Sequence, residues 1–300
     1  MPTYNRASKL EGLVRPLLAQ SLLELIVVVD GCDDGSIQRL EAIADPRLRP
    51  MWIENSGEMG ARQAGAEAAG GDVLLFVDDD VLAGDGLVSG HARRHADRER
   101  LVVVGYMPVR VPAPRRPGDF ATWMYAREYE RHCELCEREP GRAVTHLWGG
   151  NFSMRRGDCL EVGLRNPRYR ERYHPDREFG LRCVRAGLDG VFDRSLRAEH
   201  LHERRLEAFV RDARSQGAAR MILHGMYPDM LGPPDSFEAG LPAPGRLLVR
   251  LSAGRGAGTL VSRALRALVA AAGRAHWWWG EDVAARLLRR VEQKRGALRR

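Results

Sequence analysis

No apolar run in the 300 residues reaches the roughly 18 that a membrane-spanning helix needs. The opening Met1-Pro2-Thr3-Tyr4-Asn5-Arg6 lacks the build of a secretory signal peptide. Five cysteines are an odd number in a long chain, so no disulfide framework is expected; reduced thiols and a cytoplasmic setting are. His132, Cys133 and Cys136 cluster, but no second cysteine pair at zinc spacing follows, which favours core or helix-surface thiols. Internal repeats and long low-complexity segments are also missing.

What remains suits a protein with a sizeable core. Hydrophobic residues make up 44% and charged residues 29%, enough for one large α/β domain with an appendage, or for two domains. The net charge of +7 is uneven. From Leu241 to Arg300, 13 Lys+Arg against 3 Asp+Glu give +10, while the first 240 residues hold 34 basic and 37 acidic groups, or −3. Pro233, Pro234, Pro242 and Pro244 interrupt any helix between the two regions. The expected organisation is a main domain over 1–227, a Pro-rich linker over 228–244 and a basic, amphipathic helical tail over 245–300.

The first half alternates helix and strand. Ser8 and Glu11 have capping-box spacing ahead of Leu10, Leu13, Val14, Leu17 and Leu18, with Pro16 expected to kink or shorten that helix. Leu22 to Val29 reads as a strand ending in Asp30-Gly31, Gly60 to Ala69 as a helix, and Leu101 to Val104 as another strand. Val73 to Val77 reads as a buried parallel strand, and it runs directly into Asp78, Asp79 and Asp80. Ligands of open α/β sheets bind at such strand ends. Three adjacent carboxylates repel one another and call for a cation, most simply a hard divalent ion that also bridges a diphosphate. The whole pattern implies an α/β fold, a doubly wound and mostly parallel sheet flanked by helices.

Pro2 to Arg6, Val28-Val29-Asp30-Gly31-Cys32-Asp33-Asp34-Gly35-Ser36, Gly60-Ala61-Arg62-Gln63 and Asp78-Asp79-Asp80 resemble the successive signatures of family 2 glycosyltransferases. The resemblance runs on through Gly149 to Arg155 and Asp176 to Arg182, ends near Glu199-His200-Leu201-His202, and covers roughly Met1 to Arg220. It implies a GT-A fold and inverting, metal-dependent transfer of a sugar from a nucleotide-diphosphate sugar to an acceptor hydroxyl, in cell-envelope glycan or glycolipid synthesis. Pro2, Tyr4 and Arg6 would then lie beside the nucleotide base, Asp30 at the uracil or ribose, and Arg62 and Asp79 by the rest of the donor. Asp78 and Asp80, with His200 or His202, would hold Mn2+ or Mg2+. Asp176 would be the catalytic base, with Glu178 as the fallback, and Gly150 and Asn151 would meet the acceptor.

Two departures from the family pattern carry expectations of their own. The family has a strand before the Pro-Thr-Tyr-Asn-Arg loop, so that strand is expected to be missing here and its neighbour left unpaired. Pro175 stands where a Glu usually precedes the catalytic Asp, restraining the backbone at the base. A catalytically silent sugar-nucleotide-binding protein is therefore the alternative; a nucleotidyltransferase is a weaker one, since no Gly-rich phosphate loop with a lysine follows the first strand. No nucleic-acid partner is expected. In the tail, Leu260, Val261, Ala264, Leu265, Leu268 and Val269 cover about half of a helix, with Arg263 and Arg266 opposite. With Trp277-Trp278-Trp279 and the arginines beyond, this suits either packing within the protein or an anionic membrane surface that carries a lipid-linked acceptor.

Overall fold

The computed structural model describes residues 1–298; Arg299 and Arg300, counted above in the basic tail, lie outside the described residues. The chain divides into two compact units. The first comprises 1–110, 129–169 and 176–201; the second comprises 111–128, 170–175 and 202–300. The elements run β1 (Pro2–Thr3), α1 (Ala7–Leu18), β2 (Leu25–Asp30), α2 (Ser36–Glu41), β3 (Leu48–Ile53), α3 (Glu58–Ala68), β4 (Val73–Val77), β5 (Val81–Ala83), α4 (Leu87–Arg94) and β6 (Leu101–Tyr106). There follow α5 (Phe120–Arg138), α6 (Arg142–Thr145), β7 (Asn151–Arg155), α7 (Arg156–Val162), α8 (Pro175–Arg185) and β8 (Asp189–His200). The chain closes with α9 (Leu206–Met226), α10 (Pro228–Leu231), α11 (Ala243–Leu251), α12 (Arg255–Arg274) and α13 (Trp278–Ala297). None of these helices is long and apolar enough to cross a membrane.

The first unit is α/β. A parallel sheet of order β1-β2-β3 and a mixed sheet of order β4-β7-β6-β8-β5 supply its strands. In β2 the period of two sends Val27 and Val29 into a cluster with Leu10, Val14 and Leu40, while Val28 lies against Gly65 of α3. Helices on both faces explain why this strand is an unbroken apolar run. Strand β4 is where it was expected, but it is not a parallel strand: it pairs antiparallel with β7, Val73 opposite Arg155 and Val77 opposite Asn151. The Phe76 and Phe152 rings stack across that pair at 4.7 Å. This ladder carries the glycine-rich end of β7 beside the aspartates that follow β4.

Three local expectations change. Ser8 does not cap α1: Arg6 is at the N-cap, and the Ala7 amide donates instead to Asp34 Oδ2 at 2.9 Å, so a carboxylate from the β2–α2 loop serves the helix end. Pro16 lies inside α1 without ending it before Leu18. The Pro-Thr-Tyr-Asn-Arg segment, expected to be all loop, begins with a two-residue strand: Pro2 and Thr3 pair parallel with Val28 and Val29, so that the neighbour expected to be unpaired has part of its edge satisfied. Next to them is a cavity of about 370 Å³, lined in part by Leu25, Ile26, Val28, Leu75 and Val77.

The second unit is helical. Its core joins Phe120, Ala121 and Met124 of α5 to Phe209, Val210, Val249, Leu265, Val269, Leu288 and Val291. Helices α9 and α13 approach closely enough that a Cβ on Gly217 would lie 1.8 Å from the Gln293 carbonyl oxygen, and one on Gly296 would lie 1.9 Å from that of Arg214. Glu292, fully buried on α13, accepts from Arg214 at 2.8 Å. The boundary expected at 227/228 therefore falls inside this unit, between α9 and α10, and α9 packs with the tail helices.

Candidate active site

The site is assembled at the C-terminal ends of β2 and β4 and the N-terminal ends of α3 and α8. After β4 the chain turns sharply, Val81 N donating to Asp78 O at 3.2 Å, and this turn holds Asp78, Asp79 and Asp80 together. Asp30, 5% exposed at the end of β2, accepts the Ser56 amide at 2.7 Å and so fastens the loop that leads into α3. One turn into α3, the Arg62 side chain is wholly buried. Its guanidinium donates to Asp176 Oδ1 at 2.5 Å, to Asp78 Oδ1, and pairs with Glu58 Oε1 at 2.9 Å.

The adjoining backbone makes room for that cluster. Gly150 is left-handed, with φ 118, and a side chain there would come within 2.7 Å of Asp78 Oδ2. A Cβ on Gly149 would lie 2.5 Å from Asp176 Oδ1; the Gly149 amide instead donates to Asp176 Oδ2 at 3.1 Å. Pro175 opens α8, where its missing N–H costs nothing, and Asp176 falls in the first turn. The proline thus begins the helix that presents Asp176.

A second guanidinium lies beside the other two aspartates. Arg6 is 3.7 Å from Asp79 Oδ1 and 3.3 Å from Asp80 Oδ2. Asp79 also accepts from Thr3 Oγ1 at 2.7 Å, and Asp80 Oδ1 is 3.4 Å from His200 Nε2. Five carboxylates thus crowd around two arginines and a histidine. Asp78, Asp79 and Glu58 register both burial and this crowding. Burial, helped by Asp176 and Asp80, holds Asp78 above the ordinary carboxylate range against the pull of Arg62. Asp79 is raised as well, chiefly by burial. Arg62 draws Glu58 down, but lost hydration and the charges of Asp176, Asp78 and Asp80 outweigh it and push Glu58 up to about 8.

Asp78, Asp79, Asp80, Arg6, Arg62, Asp176, Gly150 and His200 are therefore brought together. Tyr4 is 52% exposed, its amide 3.4 Å from Asp79 Oδ2, whereas Pro2 is buried in β1. The remaining residues are placed elsewhere. Glu178 is 2% exposed, accepting from Asn166 at 2.6 Å and Arg182 at 3.0 Å, which leaves it a structural ion pair in place of the fallback base. Asn151 is fully buried; its Oδ1 accepts from His91 Nε2 at 2.9 Å and its Nδ2 donates to the Leu196 carbonyl at 2.9 Å. It anchors β7 and does not offer itself to an acceptor. His200 is beside Asp80, whereas His202 belongs to the second unit, where its ring stacks on Tyr125 at 4.2 Å. Sequence reasoning missed Glu58, although its place four residues before Arg62 on one helix face was a usable signal. It also missed Thr3, for which no local pattern exists.

Comparisons with known proteins identify the family and the fold. The family model for glycosyl transferase family 2 matches residues 1–163. An uncharacterized glycosyltransferase of Bacillus subtilis, YfnE, is 34% identical over 146 residues, 47% of this chain; the match spans only 35% of YfnE itself. The glucosyl-dolichyl phosphate glucuronosyltransferase of Haloferax volcanii is 27% identical over 248 residues, covering 75% of this chain and 76% of its own. Among solved structures, the mannosyltransferase PcManGT of Pyrobaculum calidifontis, in complex with GDP-Man and Mn2+, aligns with a TM-score of 0.58 at 17% identity, over 96% of this chain and 84% of that one. At that identity the likeness concerns the fold, which is of the GT-A type. With a family match over more than half its length, this chain belongs to glycosyl transferase family 2.

Proposed function

We propose that the chain is an inverting, metal-dependent glycosyltransferase, using a nucleotide-diphosphate sugar as donor and a hydroxyl as acceptor. The observation that carries this reading is the convergence of Asp78, Asp176 and Glu58 on one buried guanidinium, Arg62, with Asp79 and Asp80 on Arg6 beside it. In the reaction, the bond between the anomeric carbon and the diphosphate oxygen breaks as the acceptor oxygen bonds to the opposite face of that carbon. The acceptor proton passes to Asp176, and the bond pair leaves with the diphosphate, whose charge Arg62 and Arg6 are placed to stabilise. Exposed Tyr4 offers a ring to the nucleotide base, and Asp30 lies at the neighbouring strand end for the base or ribose.

The donor set suits a divalent cation. It consists of hard carboxylate oxygens with one imidazole, Asp80 lying 3.4 Å from His200 Nε2. Among the described residues no three such side chains already form a metal centre. Asp78 and Asp80, with His200, would hold the ion, which when bound would neutralise charge on the departing diphosphate.

Five free, buried thiols suit a reducing compartment, and we place the protein in the cytoplasm with a lipid-linked acceptor. The test is release of nucleoside diphosphate from a panel of nucleotide sugars, with and without Mn2+ or Mg2+, for the wild type and for Asp80→Ala. Metal-dependent release that Asp80→Ala abolishes is expected. Donor binding without release would favour the silent binding protein, and unimpaired release in chelator would remove the metal.

A further inference from the structure

Helix α12 is apolar on two sides. Its inward side, with Leu265, Val269 and Ala272, is buried in the helical unit. By the 100° helical step, Leu260, Ala264, Ala267, Leu268, Ala271 and Ala275 fall on a separate strip about 100° wide. All six are exposed, Leu260 by 66% and Leu268 by 46%. The strip extends for about 22 Å at the helical rise. Arg263 and Arg274, both exposed, line one edge, and α12 contains no acidic residue. A solvated helix face would instead alternate charges.

Two neighbouring features of the same unit share this composition. The three tryptophans cannot share one helical face, and they split at the start of α13: Trp278 turns in over the Arg115 guanidinium at 5.0 Å, while Trp277 and Trp279 are 52% and 68% exposed with their rings 5.8 Å apart. Helix α11 repeats the motif on a smaller scale, with Leu247 and Leu251 exposed next to exposed Arg246 and Arg250. Exposed leucines, a pair of outward indoles and arginines at the rim have the composition of an interfacial helix. The leucines and alanines enter the acyl boundary, the indoles sit at headgroup depth and the arginines meet lipid phosphates.

We propose that the outward face of α12, with Trp277 and Trp279 at its end, docks in the plane of an anionic lipid surface. The positive charge of Arg263 and Arg274 along the edge favours this occupant over a second copy of the same basic face, which would bring arginines against arginines. The inference bears on the lipid-linked acceptor proposed above, but its test reads partitioning and not turnover, so either reading can fail alone.

Full-length protein is floated with vesicles of phosphatidylcholine alone and of phosphatidylcholine with phosphatidylglycerol. Recovery with the mixed vesicles, falling about tenfold or more with neutral lipid or high salt, is expected. Leu260→Glu with Leu268→Glu should abolish recovery without moving the thermal unfolding midpoint, since both residues are exposed. Should that variant not fold, Arg263→Glu with Arg274→Glu replaces it and should weaken binding about tenfold. No flotation of the wild type, or equal flotation of a folded variant, overturns the proposal. A lipid-free dimer in sedimentation that Leu260→Glu with Leu268→Glu dissociates, without flotation, overturns it in favour of a second copy.

Discussion

Arg62 donates to Asp176 across 114 positions of sequence, so the residue best placed for the diphosphate also holds the residue best placed as base. Neither can be altered without changing the other. Arg62→Ala should lower unfolding free energy by about 3 kcal/mol, the low end for breaking a buried ion pair because its carboxylate partners are partly exposed. Urea denaturation of Arg62→Ala, Asp176→Asn and the double variant gives the coupling directly, expected at about 1 kcal/mol or more. Additive effects would show that the contact carries no energy.

The two acidic residues at the start of α8 should separate cleanly. Asp176→Asn keeps the shape and removes proton acceptance, so turnover should fall about 10²–10⁴-fold with donor affinity little changed. Glu178→Gln breaks the pair with Arg182 and should lower the unfolding midpoint while the folded protein retains its turnover. A larger loss of turnover from Glu178→Gln would return the base to that position.

The Glu58 contribution to stability should fall on the alkaline side for a specific reason. Glu58 titrates near 8 in the folded chain against 4.5 as a free side chain. A group raised on folding binds its proton more firmly in the native state, so its contribution is complete below about 4.5 and is lost as pH climbs to about 8. Buried His91, lowered to about 4, works the other way and loses its contribution as pH drops below 6.5. The buried Met1 amino group, lowered to about 5, also opposes the Glu58 effect, because its contribution is lost as pH drops below 8. Comparison of the wild type with Glu58→Gln in chelator therefore isolates the Glu58 part: the wild type should lose unfolding free energy relative to the variant as pH rises from 6.5 to 8.

Asn151 tests the division between site and scaffold. Asn151→Ala removes the partner of buried His91 Nε2 and of the Leu196 carbonyl and should cost about 2 kcal/mol in unfolding free energy. Donor affinity and the KM for acceptor should be unchanged in the folded protein. A selective rise in acceptor KM at full stability would show that Asn151 reaches the acceptor after all.

Residues whose role is set by local pattern were legible in the sequence. An apolar run ending in carboxylates locates β4 and its aspartates, and the β-branched run before Asp30 locates β2. Proximity across strands and helices was not legible. The antiparallel pairing of β4 with β7 follows from where β7 lies, which alternation along β4 does not encode. Glycine at 149 and 150 suggests a turn, but not that Asp78 and Asp176 press against it. Asn151 carries the same letter whether it faces a substrate or His91, and only the fold decides. The amphipathic stripe of α12 was visible, yet its two sides were merged: Leu265 and Val269 enter the core while Leu260 and Leu268 face outward.

The helical unit draws its residues from 111–128, 170–175 and 202–300, so two of its three pieces are encoded between segments of the other unit. No single deletion or gene fusion can therefore remove or transplant it whole. Cutting the chain before Leu241 would strip α13 from α9 and leave Gly217, Phe209 and Val210 without their cover.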